Sequence, residues 1–498
     1  MAENLKSATV RGVWWSLLEK YSTQGISTIV TIFMARILTP DEYGLIGMLA
    51  IFMALSQVFI DGGFANALIQ KQDRTETDFS TVFWINIGVS ITAYLLLFVS
   101  APAIARYYNE DILIPVTRVY CLNLLFSALV AVNKVKLVID LNFKTQLKIS
   151  LFPVCISGIV GLTCAHYGFG VWAIVFQSIT TTILSAIISI CLVRWKPSFI
   201  FSKESFHSLF RFGSKLLAAQ IINTVYVYLY NIFIGKRYSK AELGLYTRAG
   251  QFGQLVSTNL TTVMTRVSFP VLSRVQNDDT QLMGAYRKFI RIVAFIVFPF
   301  ALGLCGIARP MISALLTDKW LGAVPFLQIL SFVYLLDGIT LVNLNLLYVK
   351  GKSNIVLRLE IIKKSIAVAI LFITFRYGVK AICYGQLVYG FIALAFNTKN
   401  TKKLLDYGLF SQVRDLLPYF ICSLAVAGTA LGLGYIIHNN WIVLALALLL
   451  CPCIYFILCY LLKLEAISEM ASIVSSNAYC PGWLNRFLSK LFPNDNCL

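Results

Sequence analysis

The chain has 498 residues, of which 58% are hydrophobic and only 13% are charged, and its mean hydropathy is +0.76. A soluble chain carries about a quarter charged residues, so this composition excludes a water-soluble globular protein and indicates an integral membrane protein. The net charge of +19 does not indicate nucleic-acid binding, because the basic residues lie between apolar stretches rather than in one patch. Membrane lipid with anionic head groups is their expected electrostatic partner.

Apolar stretches of about 20 residues, the length that crosses a bilayer as an α-helix, recur along the whole chain. They predict an all-α integral membrane protein of about fourteen spans: 13–37, 45–66, 79–101, 116–138, 147–165, 170–192, 213–234, 245–270, 290–308, 324–349, 357–375, 378–397, 416–437 and 441–462. The connections between them are short. They leave no soluble domain that could carry a separate activity.

Lys and Arg divide unequally between the two sides of these spans. If the N-terminus is inside, the inner segments hold more than twice as many of them as the outer segments. The positive-inside rule therefore predicts a multi-pass protein whose N-terminus and C-terminus are both cytoplasmic.

Two segments about 200 residues apart match each other. ARILTPDEYGLIG follows the first span and GKRYSKAELGLYT follows the seventh, which places Glu42, Gly44 and Leu45 opposite Glu242, Gly244 and Leu245. The match predicts a parallel repeat, with a six-helix lobe at 1–200, a second at 201–400, two additional helices in 401–465 and a cytoplasmic tail at 466–498. Parallel repeats are a transporter architecture in which the substrate site lies between the halves.

Ionisable side chains inside a span usually face a bundle interior or an aqueous cavity. Three spans carry basic residues in polar stripes at helical spacing: Lys20 in span one, Lys215 in span seven, and Arg248, Gln251, Asn259, Thr262 and Arg266 in span eight. We predict that these side chains form a cationic lumen for an anionic cargo, because Arg can hold phosphate oxygens with two hydrogen bonds and Lys acts as a point charge.

Two acidic residues are candidates for ion coupling. They are Asp337, near the middle of span ten, and Glu19, which precedes Lys20. The alternative left open is structural: either carboxylate could neutralise a basic residue of the stripes.

Glu360, Lys363 and Lys364 are spaced as a local ion pair near the inner interface. The three histidines lie far apart and no CxxC or HExxH motif is present, so we expect no metal site, no cofactor and no catalytic residues.

A series of short motifs runs in order through about residues 7–360: RGVWWSLLEK, ARILTPDEYGL, GGFANALIQK, TVFWIN, GFGVWAIVFQ, FGSKLL, FPVLSRVQND, LLTDKW, PFLQIL and GKSN. In number and order they resemble those of the Wzx-type polysaccharide flippases, the polysaccharide-transporter branch of the multidrug/oligosaccharidyl-lipid/polysaccharide superfamily. The resemblance implies two six-helix lobes around a central cavity, plus two further helices. Beyond Asn397 the resemblance fades, and the last two spans rest on hydropathy alone.

The same resemblance implies a function. The cargo would be an undecaprenyl-pyrophosphate-linked glycan, moved by alternating access across the bacterial inner membrane for lipopolysaccharide O-antigen, capsule or exopolysaccharide synthesis, with a polysaccharide polymerase and glycosyltransferases as implied partners. One alternative is a drug or small-solute antiporter of the same superfamily, which would need an acidic lumen. Another is a membrane-embedded polymerase or glycosyltransferase, which would need a long outer loop or an acidic cluster in an inner loop. The basic stripes and short loops favour the flippase.

Overall fold

The computed structural model describes residues 2–469, with backbone only at 2–11, 13, 255–267 and 353. Within that range the chain is almost entirely α-helical and has no β-strand. It divides into two compact units, Met1–Gly244 and Leu245–Leu498.

The first unit contains α1 (Ala2–Ile37), α2 (Pro40–Asp61), α3 (Phe64–Gln70), α4 (Glu76–Tyr108), α5 (Leu113–Tyr120), α6 (Leu122–Ile139), α7 (Phe143–His166), α8 (Val171–Val193), α9 (Lys203–Arg237) and the start of α10 (Lys240–Arg274). The second unit contains the rest of α10, then α11 (Asp279–Leu316), a short 3₁₀ helix (Asp318–Ala323), α12 (Val324–Val349), α13 (Ser353–Thr374), α14 (Val379–Leu405), α15 (Leu409–Ile436) and α16 (Asn440–Leu461).

Eleven helical segments in the described part are long and apolar enough to cross a membrane, which confirms the all-α membrane fold. Each of the fourteen predicted spans coincides with one helix or with a helix broken in two. The predicted spans outside the eleven lie on α1, α10 and α13. Spans two and four are each broken, into α2 and α3 and into α5 and α6. The count of fourteen stays a prediction, as do the lobe boundaries.

The matching segments of the sequence are helix starts of the same design. Pro40 is the first residue of α2, and the Glu42 carboxylate accepts a hydrogen bond from the Thr39 backbone N–H at 2.5 Å. At the start of α10, the Ser239 hydroxyl accepts a hydrogen bond from the Glu242 backbone N–H at 3.1 Å. A polar residue before the helix and a glutamate three residues later are the signature of a capped N-terminus. The similarity of the two segments therefore has a structural cause.

The two helix starts also contact each other through equivalent glycines. A Cβ at Gly44 would overlap the Lys240 carbonyl, and a Cβ at Gly244 would overlap the Pro40 carbonyl. The two glycines are 200 residues apart, and so are the two residues whose carbonyls they meet, which is the offset of the sequence match. The contact is therefore reciprocal, as at a two-fold axis. Only glycine allows the two backbones to approach this closely.

The second unit has a large apolar core to which several of its helices contribute. Phe295 and Phe298 of α11, Leu335 of α12, Tyr419 of α15 and Tyr455 of α16 are all buried in it. The last two spans, assigned by hydropathy alone, thus pack as part of this unit. At the start of α11, the Arg287 guanidinium donates two hydrogen bonds to the Asp415 carboxylate of α15, at 2.8 and 2.9 Å.

Candidate functional site

The basic residues predicted in the first unit lie at exposed positions inside long helices. Lys20 of α1 and Lys215 of α9 both have exposed side chains. Glu19 is half-buried, and its carboxylate accepts a hydrogen bond from the Ser150 hydroxyl of α7 at 2.7 Å. Among the described residues, neither lysine forms an ion pair with a carboxylate. The alternative in which Glu19 neutralises Lys20 therefore has no support in this contact pattern.

Arg248 occupies a different environment, although the sequence groups it with the two lysines. Its side chain is only 4% exposed. One guanidinium nitrogen donates to the Gln251 side-chain oxygen at 2.7 Å, and the guanidinium carbon lies 5.9 Å from the centre of the Trp320 ring. The structure thus brings the predicted pair Arg248 and Gln251 together and places the cation near an aromatic face, an arrangement that suits a partly desolvated Arg.

The other residues predicted on this helix, Asn259, Thr262 and Arg266, have side chains outside the described residues. Their backbone is part of the unbroken helix α10. Arg248 and Arg266 are eighteen residues apart, which is about five turns and about 27 Å along the helix axis. The two positions therefore share a helix face but cannot belong to one small binding site.

Asp337, the predicted coupling residue, is an exposed side chain near the middle of α12. Lys363 of the neighbouring helix α13 lies close enough for its charge to act on the Asp337 carboxylate. Lys363 is 2% exposed and its ammonium lies 2.5 Å from the Glu360 carboxylate, which confirms the predicted local ion pair. Helical spacing does not predict the proximity of Lys363 to Asp337, because it relates residues of one helix and these two lie on neighbouring helices.

The neighbours of Asp337 pack α12 closely against α10. Three residues before Asp337, the Tyr334 ring lies so close to Gly253 that a Cβ there would be 2.6 Å from a ring carbon. Two turns earlier in α10, the Tyr246 hydroxyl accepts a hydrogen bond from the Gln386 side chain of α14 at 2.6 Å. The helices that carry Arg248 and Asp337 thus pack against each other within the second unit.

Comparison with known proteins shows which family this chain belongs to. The family model described as "Polysaccharide biosynthesis protein" matches residues 33–325, more than half of the chain. The chain belongs to this family. It is a multi-pass membrane protein whose family has a role in polysaccharide biosynthesis.

Named relatives extend the similarity beyond the family model. The chain is 27% identical over 349 residues to the "Teichuronic acid biosynthesis protein TuaB" of Bacillus subtilis, covering 69% of this chain and 72% of that protein. It is 23% identical over 433 residues to the "Lipopolysaccharide biosynthesis protein WzxC" of Escherichia coli, covering 86% and 83%.

A solved structure shows the same fold. The lipid II flippase MurJ, in an inward closed conformation, matches with a TM-score of 0.73 over 91% of this chain and 100% of that chain. Sequence identity is 14%, so this similarity concerns the fold.

Proposed function

We propose that this protein is a flippase that moves undecaprenyl-pyrophosphate-linked oligosaccharide units across the bacterial inner membrane for surface polysaccharide synthesis, by alternating access. The observation that carries the proposal is the family match over residues 33–325 on a chain of membrane-spanning helices. A membrane protein of a polysaccharide biosynthesis family, whose described residues form membrane-length helices with short connections, is suited to transporting the precursor rather than to building it. The relatives named for teichuronic acid and lipopolysaccharide biosynthesis support the same interpretation.

The charge pattern supports an anionic cargo. Lys20 and Lys215 are exposed at positions inside long helices, and among the described residues they are not neutralised by an ion pair. Because an intramembrane charge is costly, such residues usually serve an aqueous path. In this proposal the two lysines attract the pyrophosphate, while Arg248 and Arg266 provide two further cationic positions along the transport path. An acidic lumen suited to a cationic drug would require the opposite pattern.

The proposal includes location and partners. We place the protein in the bacterial inner membrane with both termini in the cytoplasm, as the distribution of Lys and Arg predicts. The polymerase and glycosyltransferases that make and consume the lipid-linked units are its expected partners. Asp337 is the proposed coupling residue, with Lys363 as a nearby cation.

The decisive experiment measures translocation in proteoliposomes that contain the full chain and a fluorescent undecaprenyl-pyrophosphate glycan. We expect the protein to speed loss of the label from one leaflet. The double variant Lys20→Ala, Lys215→Ala should lower the initial rate at least about tenfold, which corresponds to an activation barrier about 1.4 kcal/mol higher. The matched control is Lys203→Ala, an exposed lysine at the start of α9. A parent protein no faster than protein-free vesicles would contradict the flippase.

A further inference from the structure

The second predicted span, 45–66, is interrupted directly after Asp61, where α2 ends and before α3 begins. Gly62 and Gly63 both have left-handed backbone conformations, with φ of +51° and +72°, which glycine adopts without strain. A Cβ at Gly63 would overlap the Gly213 carbonyl, so α9 approaches the break at backbone distance. The break leaves Asp61 half-buried at the C-terminal end of α2 and not in a continuous helix.

Asp61 lines a cavity of about 270 Å³ within the first unit. Five polar side chains from five helices reach it: Asp61 of α2, Asn66 of α3, Asn86 of α4, Lys134 of α6 and Gln220 of α9. On the predicted orientation, these positions lie in the inner half of the membrane. None of them belongs to the cationic stripes.

Asn86 indicates that this cavity is built to hold a ligand. Its side chain is only 3% exposed, and its amide oxygen has no hydrogen-bond partner among the described residues. Buried polar atoms are nearly always hydrogen-bonded, so an orphaned acceptor beside a cavity points to a donor from a bound molecule.

The two charges of the cavity restrict what that molecule can be. Asp61 and Lys134 both line it, and the charge of Lys134 acts on Asp61, but they form no ion pair with each other in the described part of the chain. The Asp61 carboxylate accepts a hydrogen bond from the Gln57 amide at 3.2 Å. A cation placed here would be attracted by Asp61 and repelled by Lys134, and an anion would meet the reverse, so the cavity has no net preference for either sign. A neutral ligand with both donors and acceptors satisfies both groups.

The apolar walls of the cavity place a second requirement on the ligand. Val82, Val132 and Val135 contribute apolar surface to the same cavity. A ligand site that combines apolar walls with a few directed polar groups selects a compact molecule with an apolar face and a polar edge. A pyranose ring has C–H groups on its faces and hydroxyls around its edge, and each hydroxyl both donates and accepts.

We infer that this cavity is a binding site for one neutral sugar residue, with Asp61 and the Asn86 amide oxygen accepting from its hydroxyls and Lys134 donating to them. The assignment of that sugar to the transported glycan rests on the proposed function. The binding site itself does not. It is distinct from the cationic stripes, which suit the pyrophosphate.

The test is direct binding of small glycosides to the full-length protein in lipid nanodiscs, measured by saturation-transfer NMR. The probes are methyl glucoside, methyl galactoside and methyl N-acetylglucosaminide, with methyl glucuronide and methyl glucosaminide as the anionic and cationic counterparts. We expect at least one neutral glycoside to bind, and to bind more tightly than either charged one. The variants Asp61→Asn, Asn86→Leu and Gln220→Leu should each weaken that binding about tenfold or more.

The matched control is Asn133→Leu, which removes an equally buried amide of α6 that does not line the cavity. It should bind as the parent does. The inference is overturned if no neutral glycoside binds the parent, if the folded cavity variants bind as tightly as the parent, or if methyl glucuronide binds as well as the neutral probes. Cavity-dependent binding without translocation in proteoliposomes would refute the flippase and leave the sugar site standing.

Discussion

At the scale of single residues, the members of the predicted cationic lumen do not share one environment. Lys20 and Lys215 are exposed, whereas Arg248 is 4% exposed and hydrogen-bonded to Gln251 beside the Trp320 ring. Helical spacing placed Arg248 and Gln251 on one face correctly. It could not show their burial, because burial depends on the residues that neighbouring helices bring to that face.

Arg248 therefore allows a test of whether transport needs the planar guanidinium group or only a positive charge at this position. Arg248→Lys keeps the positive charge but loses the fork that holds Gln251 and lies near Trp320. We expect the translocation rate per folded molecule to fall about tenfold or more, measured in proteoliposomes after normalising for protein amount by gel filtration. Arg274→Lys, at the exposed end of the same helix, is the control and should keep the parent rate. A parent-like rate in Arg248→Lys would mean that charge alone suffices at this position.

At the scale of helices, the sequence predicts features that depend on residues close together in the chain. It misses features that several helices form together. The apolar stretches locate the helices because their length matches the bilayer, and Thr39 with Glu42 marks a helix start because capping is a contact of near neighbours. The sugar cavity escaped prediction because each of its helices supplies a single polar residue, which leaves no stripe to detect. A signal was nevertheless present: Asp61 and Lys134 are charges within the predicted spans 45–66 and 116–138, and Asp61 precedes a glycine pair.

The reciprocal glycine contact gives a prediction at the same scale. Gly44→Ala and Gly244→Ala each place a methyl group on a backbone carbonyl of the opposite helix start, so each should lower stability by about 1–3 kcal/mol, as overpacking does. The thermal-unfolding midpoint of the purified protein measures the loss. Gly88→Ala is the matched control, since a Cβ there meets nothing within 4 Å, and its midpoint should be unchanged or slightly raised. Equal midpoints for all three variants would show that the two helix starts separate without cost.

At the scale of the whole molecule, contacts between helix ends agree with the alternation of spans. Polar pairs within each unit join ends that the sequence places on the same side: Lys240 with Glu110 at 3.0 Å on the outer side, and Lys136 with Glu76 at 2.7 Å and Lys350 with Asp279 at 2.6 Å on the inner side. A miscount of one span between the two members of a pair would have joined an inner end to an outer one. These pairs support the alternation, while the choice of cytoplasmic side rests on Lys and Arg.

That choice can be measured by labelling single cysteines from each side of the membrane. In a variant lacking the twelve native cysteines, Lys203→Cys and Lys352→Cys should react only with reagent that reaches the cytoplasm, and Asp111→Cys and His438→Cys should react with an impermeant reagent outside intact cells. All four positions are exposed, and each compact unit contributes one position for each side, so the units are tested separately. The physical reason is the retention of basic loops in the cytoplasm during insertion. Labelling of the Lys203→Cys variant from outside would invert the orientation of the first unit and move the inferred sugar cavity to the outer half of the membrane, where a cargo arriving from the cytoplasm could not enter it directly.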